Sequence, residues 1–231
     1  MGNVAIIPAR KGSKGLPNKN LIELAGLNFV QRAVKQGIDS NLFDHIIVST
    51  DYSEQEIKVS KSNLVSIHAR SIKASSDTAS ANDVLRDLFT CVQCQPLVEN
   101  ASICYLQPTS PLRTSQDIIN SYECRDSTSK NRVISTLNIP VIKSKLVDID
   151  AATGRISENM GGAASSNRQE ASGLSLIPNG AIYWFEHSDS LETDSFPIDG
   201  AKYYAMPWSR SIDVDSMEDL EEVQRILGDK L

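Results

Sequence analysis

Short apolar runs alternate with amphipathic stretches along most of the chain. Val4–Pro8, His45–Thr50 and Ser102–Leu106 have the length and apolar content of buried strands, and Asn28–Ile38 places its apolar residues on one helical face. Strand and helix alternating at this spacing predict right-handed βαβ units. We therefore predict an α/β fold with a doubly wound, mostly parallel sheet and helices on both faces. The other predicted strands are Leu64–His68, Arg132–Thr136, Ala181–Phe185 and Tyr203–Met206, and the other predicted helices are Glu54–Ser62, Asn82–Gln95, Ser115–Cys124 and Met217–Leu227.

The alternation stops between Ile139 and about Pro178. This stretch is rich in serine, contains the sequence GGAASSN and has few long apolar runs. A loop of about forty residues without structure is unusual inside a compact domain. We therefore expect one domain over residues 1–231, in which residues 139–178 form an inserted excursion that carries functional or subunit-contact residues.

The balance of charge excludes several classes of partner. The chain carries 23 basic and 29 acidic side chains, which gives a net charge of −6 and an isoelectric point near 5.1. This balance argues against nonspecific binding to nucleic acid or to anionic lipid. No apolar run approaches the roughly 18 residues of a membrane-spanning helix, and the first residues lack the pattern of a signal peptide. We expect a soluble cytoplasmic protein.

Two of the four cysteines form a C-x-x-C pair, Cys91 and Cys94. Such a pair is half of a zinc site or a redox pair, but Cys104 and Cys124 are far apart and have no histidine beside them. The pair also extends a helical apolar stripe, whose members are Val84, Leu85, Leu88, Phe89 and Val92. The spacing favours packing over metal or redox chemistry.

The densest chemical signal is the segment RKGSKGLPNKN at residues 10–20, directly after the first predicted strand. Four cations fall within residues 10–19, whereas 23 in 231 residues predict about one in ten. Glycines permit close approach of the backbone, and free amides with cations form a cradle for a polyphosphate. The segment has neither the Walker A nor the G-x-G-x-x-G spacing. A solvated basic turn is the alternative, but cations concentrated in an acidic protein favour a phosphate site at this strand end.

Four segments resemble, in order, the signature blocks of one enzyme family. IIPARKGSKGLPNKN at residues 6–20 is similar to the nucleotide-binding signature of the acylneuraminate cytidylyltransferases, and the later blocks are similar to LQPTSPLR, PNGAIY and SIDVDSMEDL. The resemblance spans nearly the whole chain. It implies transfer of CMP from CTP to the anomeric hydroxyl of an acidic nine-carbon sugar, a sialic-acid-like nonulosonate, with release of pyrophosphate and with magnesium as the cofactor.

The resemblance also implies which residues hold CTP. These are Arg10, Ser13, Lys14, Lys19, Asn20, Arg70, Ala79 and Ser80. Those of the first block would supply charge and hydrogen bonds to the triphosphate, whereas Arg70 and residues 77–80 would hold the cytosine. Residues 76–80 also suit the N-cap of a helix, and capping is compatible with binding.

A second set of residues is implied for the sugar. It comprises Gln107, Thr109, Ser110, Arg113, Lys143, Arg168, Asn179 and Gly180. The first four follow the strand Ser102–Leu106 in a turn stiffened by prolines, and an ordinary proline-rich turn is the alternative. In the family the excursion resembles a dimerisation insert, so a homodimer with shared sites is expected, in which Lys143 and Arg168 meet the sugar carboxylate. The alternative is that both are solvated loop cations.

The sequence does not name the sugar acid. Ile177 stands where relatives such as neuraminate synthetases can carry an arginine, which weakens the case for N-acetylneuraminate itself. N-acetylneuraminate, legionaminate and pseudaminate all remain candidate substrates.

Asp213 and Asp215 are separated by one residue, so on extended backbone both carboxylates face the same side. Paired carboxylates together with triphosphate oxygens are typical ligands of magnesium, whereas the alternative is a role in capping the last helix. Together with Arg10 and Lys19, Asp213 is a candidate catalytic residue. The acceptor of the sugar hydroxyl proton stays open between Asp213 and a metal-held water.

Two other functions are compatible with the sequence. One is a nucleotidyltransferase that acts on a sugar phosphate with another nucleoside triphosphate. The other is a non-catalytic nucleotide-binding protein that has the basic segment without turnover.

Overall fold

The structure of the protein is a computed structural model that describes residues 2–12, 15–127, 130–142, 147–149, 156–158, 174–192, 196 and 199–228. The strands are β1 (Asn3–Ala9), β2 (Glu23–Leu24), β3 (Leu27–Asn28), β4 (His45–Thr50), β5 (Val65–Ala69), β6 (Ser102–Tyr105), β7 (Val133–Ile142), β8 (Val147–Ile149), β9 (Ile156–Glu158), β10 (Leu174–Glu186) and β11 (Lys202–Met206). The helices are α1 (Phe29–Ser40), α2 (Glu54–Ile57), α3 (Ala81–Thr90), α4 (Gln95–Val98), α5 (Ser115–Glu123), α6 (His187–Glu192) and α7 (Met217–Leu227).

Seven strands form the central sheet in the order β11-β7-β10-β6-β1-β4-β5. Strands β6, β1, β4 and β5 are parallel, and so are β11 and β7, which confirms the predicted mostly parallel sheet. Strand β10 is antiparallel to both of its neighbours, because the chain enters it from the excursion beside β7. On one side of β1 the sheet continues through β4 to β5. The chain then crosses to β6, which lies on the other side of β1. The crevice between the carboxyl ends of β1 and β6 is therefore the topological switch point.

Both faces of the sheet are covered, as predicted. Ala5 and Ile7 of β1 belong to a core shared with α1 and α5, whereas Val4 and Ile6 belong to a core shared with α3 and α4. This alternation is the period of two that a strand imposes on its side chains. A third apolar cluster packs α7 against the residues before α1 and α5.

Five helices begin with the same device, a capping box. In each, the N-cap side chain accepts a hydrogen bond from the backbone amide three residues on, and the side chain there accepts one from the N-cap amide. The capping residues are Asn28, Ser53, Ser80, Thr114 and Ser216. Three of these boxes stand next to the functional segments described below.

Two helices are shorter than predicted. The helix predicted over Glu54–Ser62 ends at Ile57, because Lys58 adopts a left-handed backbone with φ of 53°. The helix predicted over Asn82–Gln95 is divided into α3 and α4, because the backbone becomes extended after Thr90. Within the described part of the chain, no helix combines the length and the hydropathy needed to cross a membrane.

The break after α3 changes the environment of the C-x-x-C pair. Val92 is 84% exposed, so its assignment to the apolar stripe was wrong. Cys94 is buried in the core on the α3 side of the sheet, and burial raises its pKa to about 12. A thiol in this environment is protonated at neutral pH, and Cys94 occupies a packed position in the core, which is the role that the apolar spacing favours.

The main sheet extends into both ends of the predicted excursion. Strand β7 continues to Ile142 and β10 begins at Leu174, so the sheet ends later and resumes earlier than the predicted boundaries. Strands β8 and β9 form a small antiparallel pair within the excursion. Near the site the pairing between β10 and β7 is irregular. Pro178 pairs with Thr136 and the next pair is Tyr183 with Ile134, so β10 contains more residues than β7 between these two pairs.

A buried carboxylate anchors the segment of residues 207–216, which joins β11 to α7 and carries both candidate metal ligands. Asp117, at the start of α5, accepts hydrogen bonds from the Tyr204 hydroxyl and from Arg210 Nη2, both at 2.9 Å. Burial raises the pKa of Asp117, but the contacts of Arg210, Thr114 and Tyr204 outweigh it and lower the pKa overall. Farther along, the Val214 amide donates to the Thr109 carbonyl at 2.8 Å.

We predict that Asp117→Asn weakens the fold and removes part of its acid sensitivity. Because the pKa of Asp117 is lowered on folding, its contribution is complete above about pH 4 and is lost as the pH falls through the folded-state pKa. The substitution is expected to cost about 2 kcal/mol of unfolding free energy at pH 7. Urea unfolding at pH 7 and pH 3.5 measures both effects. Asp39→Asn, on the exposed Lys35–Asp39 pair of α1, is the control, and equal pH dependence in Asp117→Asn and wild type would contradict the assignment.

Candidate active site

A cavity of about 240 Å³ lies at the switch point of the sheet. We call it the basic cavity. Its lining residues are Pro8, Arg10, Lys19, Asn20, Arg70, Ala79, Ser80, Ala81, Val84, Tyr105, Gln107, Pro108 and Thr109. The structure thus brings together six of the eight residues assigned to the nucleotide, together with two assigned to the sugar. Ser13 and Lys14 lie outside the described residues.

The loop after β1 is fixed by hydrogen bonds to its backbone. The Asn20 side chain is buried and donates to the Arg10 carbonyl at 3.1 Å. The Lys11 amide donates to Asp51 Oδ1, after β4, at 2.8 Å. Arg10 Nη1 contacts Asp77 Oδ1 at 2.7 Å, so the loop is also tied to the segment before α3.

Lys19 contacts the distant 207–216 segment. Its ammonium group forms an ion pair with Asp215 and donates to the Val214 carbonyl at 3.2 Å. The side chain of Lys19 is only 16% exposed. Close by, a Cβ on Gly15 would lie 2.5 Å from the Asp215 carbonyl oxygen, so a glycine is required for this approach. The loop after β1 is therefore in direct contact with the segment that carries Asp213 and Asp215.

Arg70 and Ser80 form the opposite wall of the basic cavity. Arg70 follows β5, and its Nε donates to the buried Ser49 hydroxyl at 3.0 Å. Its Nη2 has no hydrogen-bond partner among the described residues, and burial lowers the pKa of the guanidinium. Ser80 caps α3 and also lines the cavity, so the two roles expected for it coincide.

A second cavity, of about 340 Å³, adjoins the first through Gln107, which lines both. We call it the acidic cavity, because Asp213 is the one charged side chain among its described lining residues. The others are Gln107, Leu137, Ile177, Pro178, Asn179, Gly180, Tyr183 and Ser211. A ligand that spans both cavities would pass directly over Gln107.

Asp213 and Asp215 have different environments. Burial raises the pKa of Asp213, against the effect of a hydrogen bond from Thr109, and Asp215 raises it further. Asp213 Oδ1 is buried and has no hydrogen-bond partner within the described ranges. The Asp215 carboxylate is 72% exposed and pairs with Lys19. An unpartnered carboxylate oxygen beside a second, accessible carboxylate fits magnesium, which takes one or two carboxylates together with phosphate oxygens and water.

Asn179 and Gly180 shape the acidic cavity at the irregular part of β10. The Asn179 amide is held on both sides, since it accepts from the Ser135 hydroxyl at 2.6 Å and donates to the Ser211 hydroxyl at 3.0 Å. Gly180 has φ of +76°, and a Cβ there would lie 2.9 Å from Gln107 Oε1. The side chain of Asn179 thus builds the wall, whereas the absence of a Cβ at Gly180 lets Gln107 pack closely against it.

The structure corrects the roles assigned to Arg113 and Ser110. Arg113 is 2% exposed, and its guanidinium donates to Gln36 Oε1 and to the carbonyls of Gln107 and Ala181. With these groups engaged, it supports the cavity wall instead of facing a sugar. Ser110 is buried as well, and its side chain does not line either of the two cavities described here. Of the four turn residues assigned to the sugar, the two that line a cavity are Gln107 and Thr109.

Sequence reasoning missed several lining residues. Tyr105 ends β6 in the basic cavity, and Tyr183 of β10 lines the acidic one. Both belong to apolar runs that predict strands, and the apolar pattern does not show which end of a strand faces a ligand. Ser211 begins the last signature block and was within reach of the same reasoning. Lys143 and Arg168, assigned to the sugar carboxylate, lie outside the described residues.

Comparison with known proteins places this site in a family. A family model described as cytidylyltransferase matches residues 4–158. The chain belongs to the cytidylyltransferase family. It is 32% identical over 228 residues to the N-acylneuraminate cytidylyltransferase of Streptococcus agalactiae serotype III (strain NEM316), an alignment that covers 96% of this chain and 52% of that protein. The chain thus spans about half the length of the first relatives it matches.

Two further comparisons cover whole chains. The post-translational flagellin modification protein B of Campylobacter coli is 27% identical, over 97% of this chain and 94% of that protein. A solved CMP:2-keto-3-deoxy-manno-octonic acid synthetase complexed with CTP aligns over 99% of both chains with a TM-score of 0.66 at 18% identity. The last likeness supports the α/β fold alone, and it agrees with the sheet described above.

We predict that Gly180→Ala destabilises the fold more than the same substitution at a matched glycine does. Gly180 and Gly200 both have positive φ, +76° and +71°, but nothing lies within 4 Å of a Cβ on Gly200. Gly200→Ala is expected to cost about 1 kcal/mol of backbone strain, whereas Gly180→Ala is expected to cost about 2–3 kcal/mol because Gln107 must also move. Chemical denaturation of both variants measures the difference. Equal losses would show that Gln107 yields without cost.

Proposed function

We propose that this chain transfers CMP from CTP to the anomeric hydroxyl of a sialic-acid-like nonulosonate and releases pyrophosphate. The observation that carries the proposal is the pair of adjoining cavities, one lined by Arg10, Lys19 and Arg70, the other containing Asp213, with Gln107 between them. The reaction requires this arrangement, because a sugar hydroxyl must meet the α-phosphate of a bound nucleotide. The N-acylneuraminate cytidylyltransferases matched over nearly the whole chain support the same substrates.

In this proposal the basic cavity binds CTP. Arg10 and Lys19, with Ser13, Lys14 and Asn20 of the same loop, neutralise the triphosphate and the charge that develops on pyrophosphate as it leaves. Arg10 is paired with Asp77 and Lys19 with Asp215, and both carboxylates are on the surface. When the nucleotide binds, its phosphate oxygens replace these carboxylates as partners of the two cations.

The cytosine then lies toward the wall formed by Arg70, Ala79 and Ser80. A base edge is recognised by donors and acceptors held at fixed positions. Arg70 offers the unpartnered Nη2, and Ser80 is held in place by its capping box. A fixed wall of this kind distinguishes cytosine from other bases by hydrogen bonding.

The sugar occupies the acidic cavity. Gln107, which lines both cavities, contacts it from the turn after β6, and the backbone of Asn179 and Gly180 contacts it from β10. Thr109 of the same turn lies in the adjoining basic cavity and faces the end of the sugar that meets the nucleotide. Since the described walls of this cavity contain an aspartate and no cation, the sugar carboxylate needs positive charge from elsewhere. We assign that charge to Lys143 and Arg168 of the excursion.

We propose that Asp213 and Asp215 hold magnesium when CTP is bound. The ion supplies charge stabilisation to the triphosphate and its leaving group. Asp213 contributes its unpartnered oxygen, and Lys19 keeps Asp215 close to the triphosphate until the nucleotide arrives. The Thr109 hydroxyl and the Thr109 carbonyl, which accepts from Val214, orient the backbone that carries both carboxylates.

Pyrophosphate release separates the three candidate functions. The protein is incubated with CTP, magnesium and a panel of sugar acids, and in parallel with sugar phosphates and each nucleoside triphosphate. Release with CTP and a nonulosonate, with a CMP-sugar as product, is the expected result. Release only with sugar phosphates would support the other nucleotidyltransferase, and CTP binding without release would support a binding protein.

Product formation with N-acetylneuraminate, legionaminate and pseudaminate identifies the sugar acid. The acidic cavity has an apolar wall, formed by Leu137 and the half-exposed Ile177. Such a wall favours a sugar that presents a methyl group over one that presents hydroxyl groups. Legionaminate and pseudaminate end in a methyl group where N-acetylneuraminate ends in a hydroxymethyl group, so both are expected to give higher kcat/KM than N-acetylneuraminate.

We predict that Asp213→Asn and Asp215→Asn each raise the magnesium concentration needed for half-maximal turnover, by about tenfold or more. CTP binding measured without metal should persist in both variants. The exposed Asp39→Asn is the matched control and should titrate as wild type does. If both site variants also titrate as wild type does, the pair is part of the α7 cap and not a metal site.

We further propose a homodimer in which the excursion of one chain completes the partner's acidic cavity, in the cytoplasm where CTP is available. Mixing an Arg168→Ala chain with a Lys19→Ala chain should then restore part of the activity, since each heterodimer contains one intact composite site. Sedimentation velocity checks assembly in the same samples. Full activity at a mass of 25.3 kDa would contradict shared sites.

A further inference from the structure

One buried hydrogen-bonded pair next to the basic cavity has no role in the function proposed above. Ser49 of β4 and His68 of β5 are partners in the parallel register of the two strands, and both are buried. The Ser49 hydroxyl lies 3.0 Å from His68 Nδ1. Buried polar pairs between sheet strands usually serve a third group, because burial without full pairing destabilises the fold.

The third group is Arg70. It lies two residues after His68, on the same side of the extended chain, and its Nε donates to Ser49 at 3.0 Å. The Arg70 amide is bound as well, to the Thr50 carbonyl at 2.9 Å. Beyond His68, Asp87 of α3 lies 3.6 Å from Nε2 and accepts from the Ser71 amide at 2.9 Å. The contacts form one chain from α3 to the cavity wall.

The Asp87 carboxylate fixes the direction of the hydrogen bonds. It lies 3.6 Å from His68 Nε2 and only accepts, so a neutral ring carries its proton on Nε2 and leaves Nδ1 as an acceptor. Ser49 then donates its proton to Nδ1, while its oxygen accepts from the Arg70 guanidinium, which only donates. Burial and the nearby Arg70 lower the pKa of His68 against the opposite effect of Asp87, which agrees with a neutral ring.

We propose that His68 is a positioning residue for nucleotide binding, which acts through Ser49 to hold the Arg70 guanidinium against the wall of the basic cavity. The inference rests on the proposed binding of CTP in that cavity. Without the acceptor at Nδ1, the Ser49 side chain loses the contact that fixes its χ1 rotamer. Its oxygen is then no longer held within hydrogen-bond distance of Arg70 Nε, and Nη2 is no longer held for the base.

The test compares substitutions that differ only in the acceptor at Nδ1. His68→Leu removes it, whereas His68→Asn places an amide oxygen at the same position. The dissociation constant for CTP is expected to rise about three- to tenfold in His68→Leu and to stay within about twofold of wild type in His68→Asn. The KM for the sugar acid should not change in either. His45→Leu is the matched control, since His45 forms a similar pair with Ser66 at the far end of β4.

A double-mutant cycle separates positioning from general damage. In an Arg70→Lys background the Nε donor is absent, so His68→Leu should have no further effect on CTP binding. Equal CTP affinity of wild type and His68→Leu would overturn the inference, as would a loss that is additive with Arg70→Lys or that His68→Asn fails to rescue. If wild type itself does not bind CTP, the proposed function fails. An imidazole nitrogen spectrum of wild type, which should show an unprotonated Nδ1 at residue 68, provides a readout that does not depend on CTP.

Discussion

The buried guanidinium of Arg113 holds together the parts from which both cavities are built. It donates to the side chain of Gln36 on α1, to the Gln107 carbonyl after β6 and to the Ala181 carbonyl in β10. Burial lowers its pKa to about 10, so it stays charged at neutral pH without a carboxylate in contact. Gln107 lines both cavities, and Ala181 follows the glycine against which Gln107 packs. One side chain therefore joins the elements that line the basic cavity to those that line the acidic cavity.

Around that centre the charges of the site are balanced before any ligand arrives. Arg10 and Lys19 are paired with carboxylates, and the pairs join the basic loop to two other segments. In both pairs the carboxylate is the more exposed partner, and ion pairs with an exposed partner contribute little to stability, so other anions can replace these carboxylates. Asp213 has the opposite environment, since it is buried and keeps an unpartnered oxygen. The site thus combines replaceable ion pairs at the basic cavity with one unsatisfied acceptor at the acidic cavity.

The sequence predicts the strands and helices of the sheet well, because their apolar periodicity is strong. Strand β4 and helix α7 begin and end at the predicted residues. Periodicity carries no information on direction, so the antiparallel β10 was not predicted. Helix length failed where a single residue such as Lys58 enters the left-handed region, since neighbouring side chains give no sign of it.

For the site, the density of cations in residues 10–20 was sufficient to predict the basic cavity. The family resemblance added Arg70 and residues 79–80, which no local pattern would have joined to that loop. Arg113 shows the limit of both kinds of reasoning. An arginine in a family signature is a candidate for ligand binding. Whether it contacts the ligand or the backbone depends on how deeply it is buried. That burial is decided by elements that are far away in the sequence.

The contact between Lys19 and Asp215 spans 196 positions of the chain. During synthesis the ribosome delivers the basic loop first, and its lysine has no such partner until nearly the whole domain has emerged. Strands β1, β4, β5 and β6 can pair earlier, because each is in the first half of the sequence. A nascent chain can therefore form part of the sheet before it forms the Lys19–Asp215 pair, and the charge of this lysine is neutralised only when translation reaches the last helix.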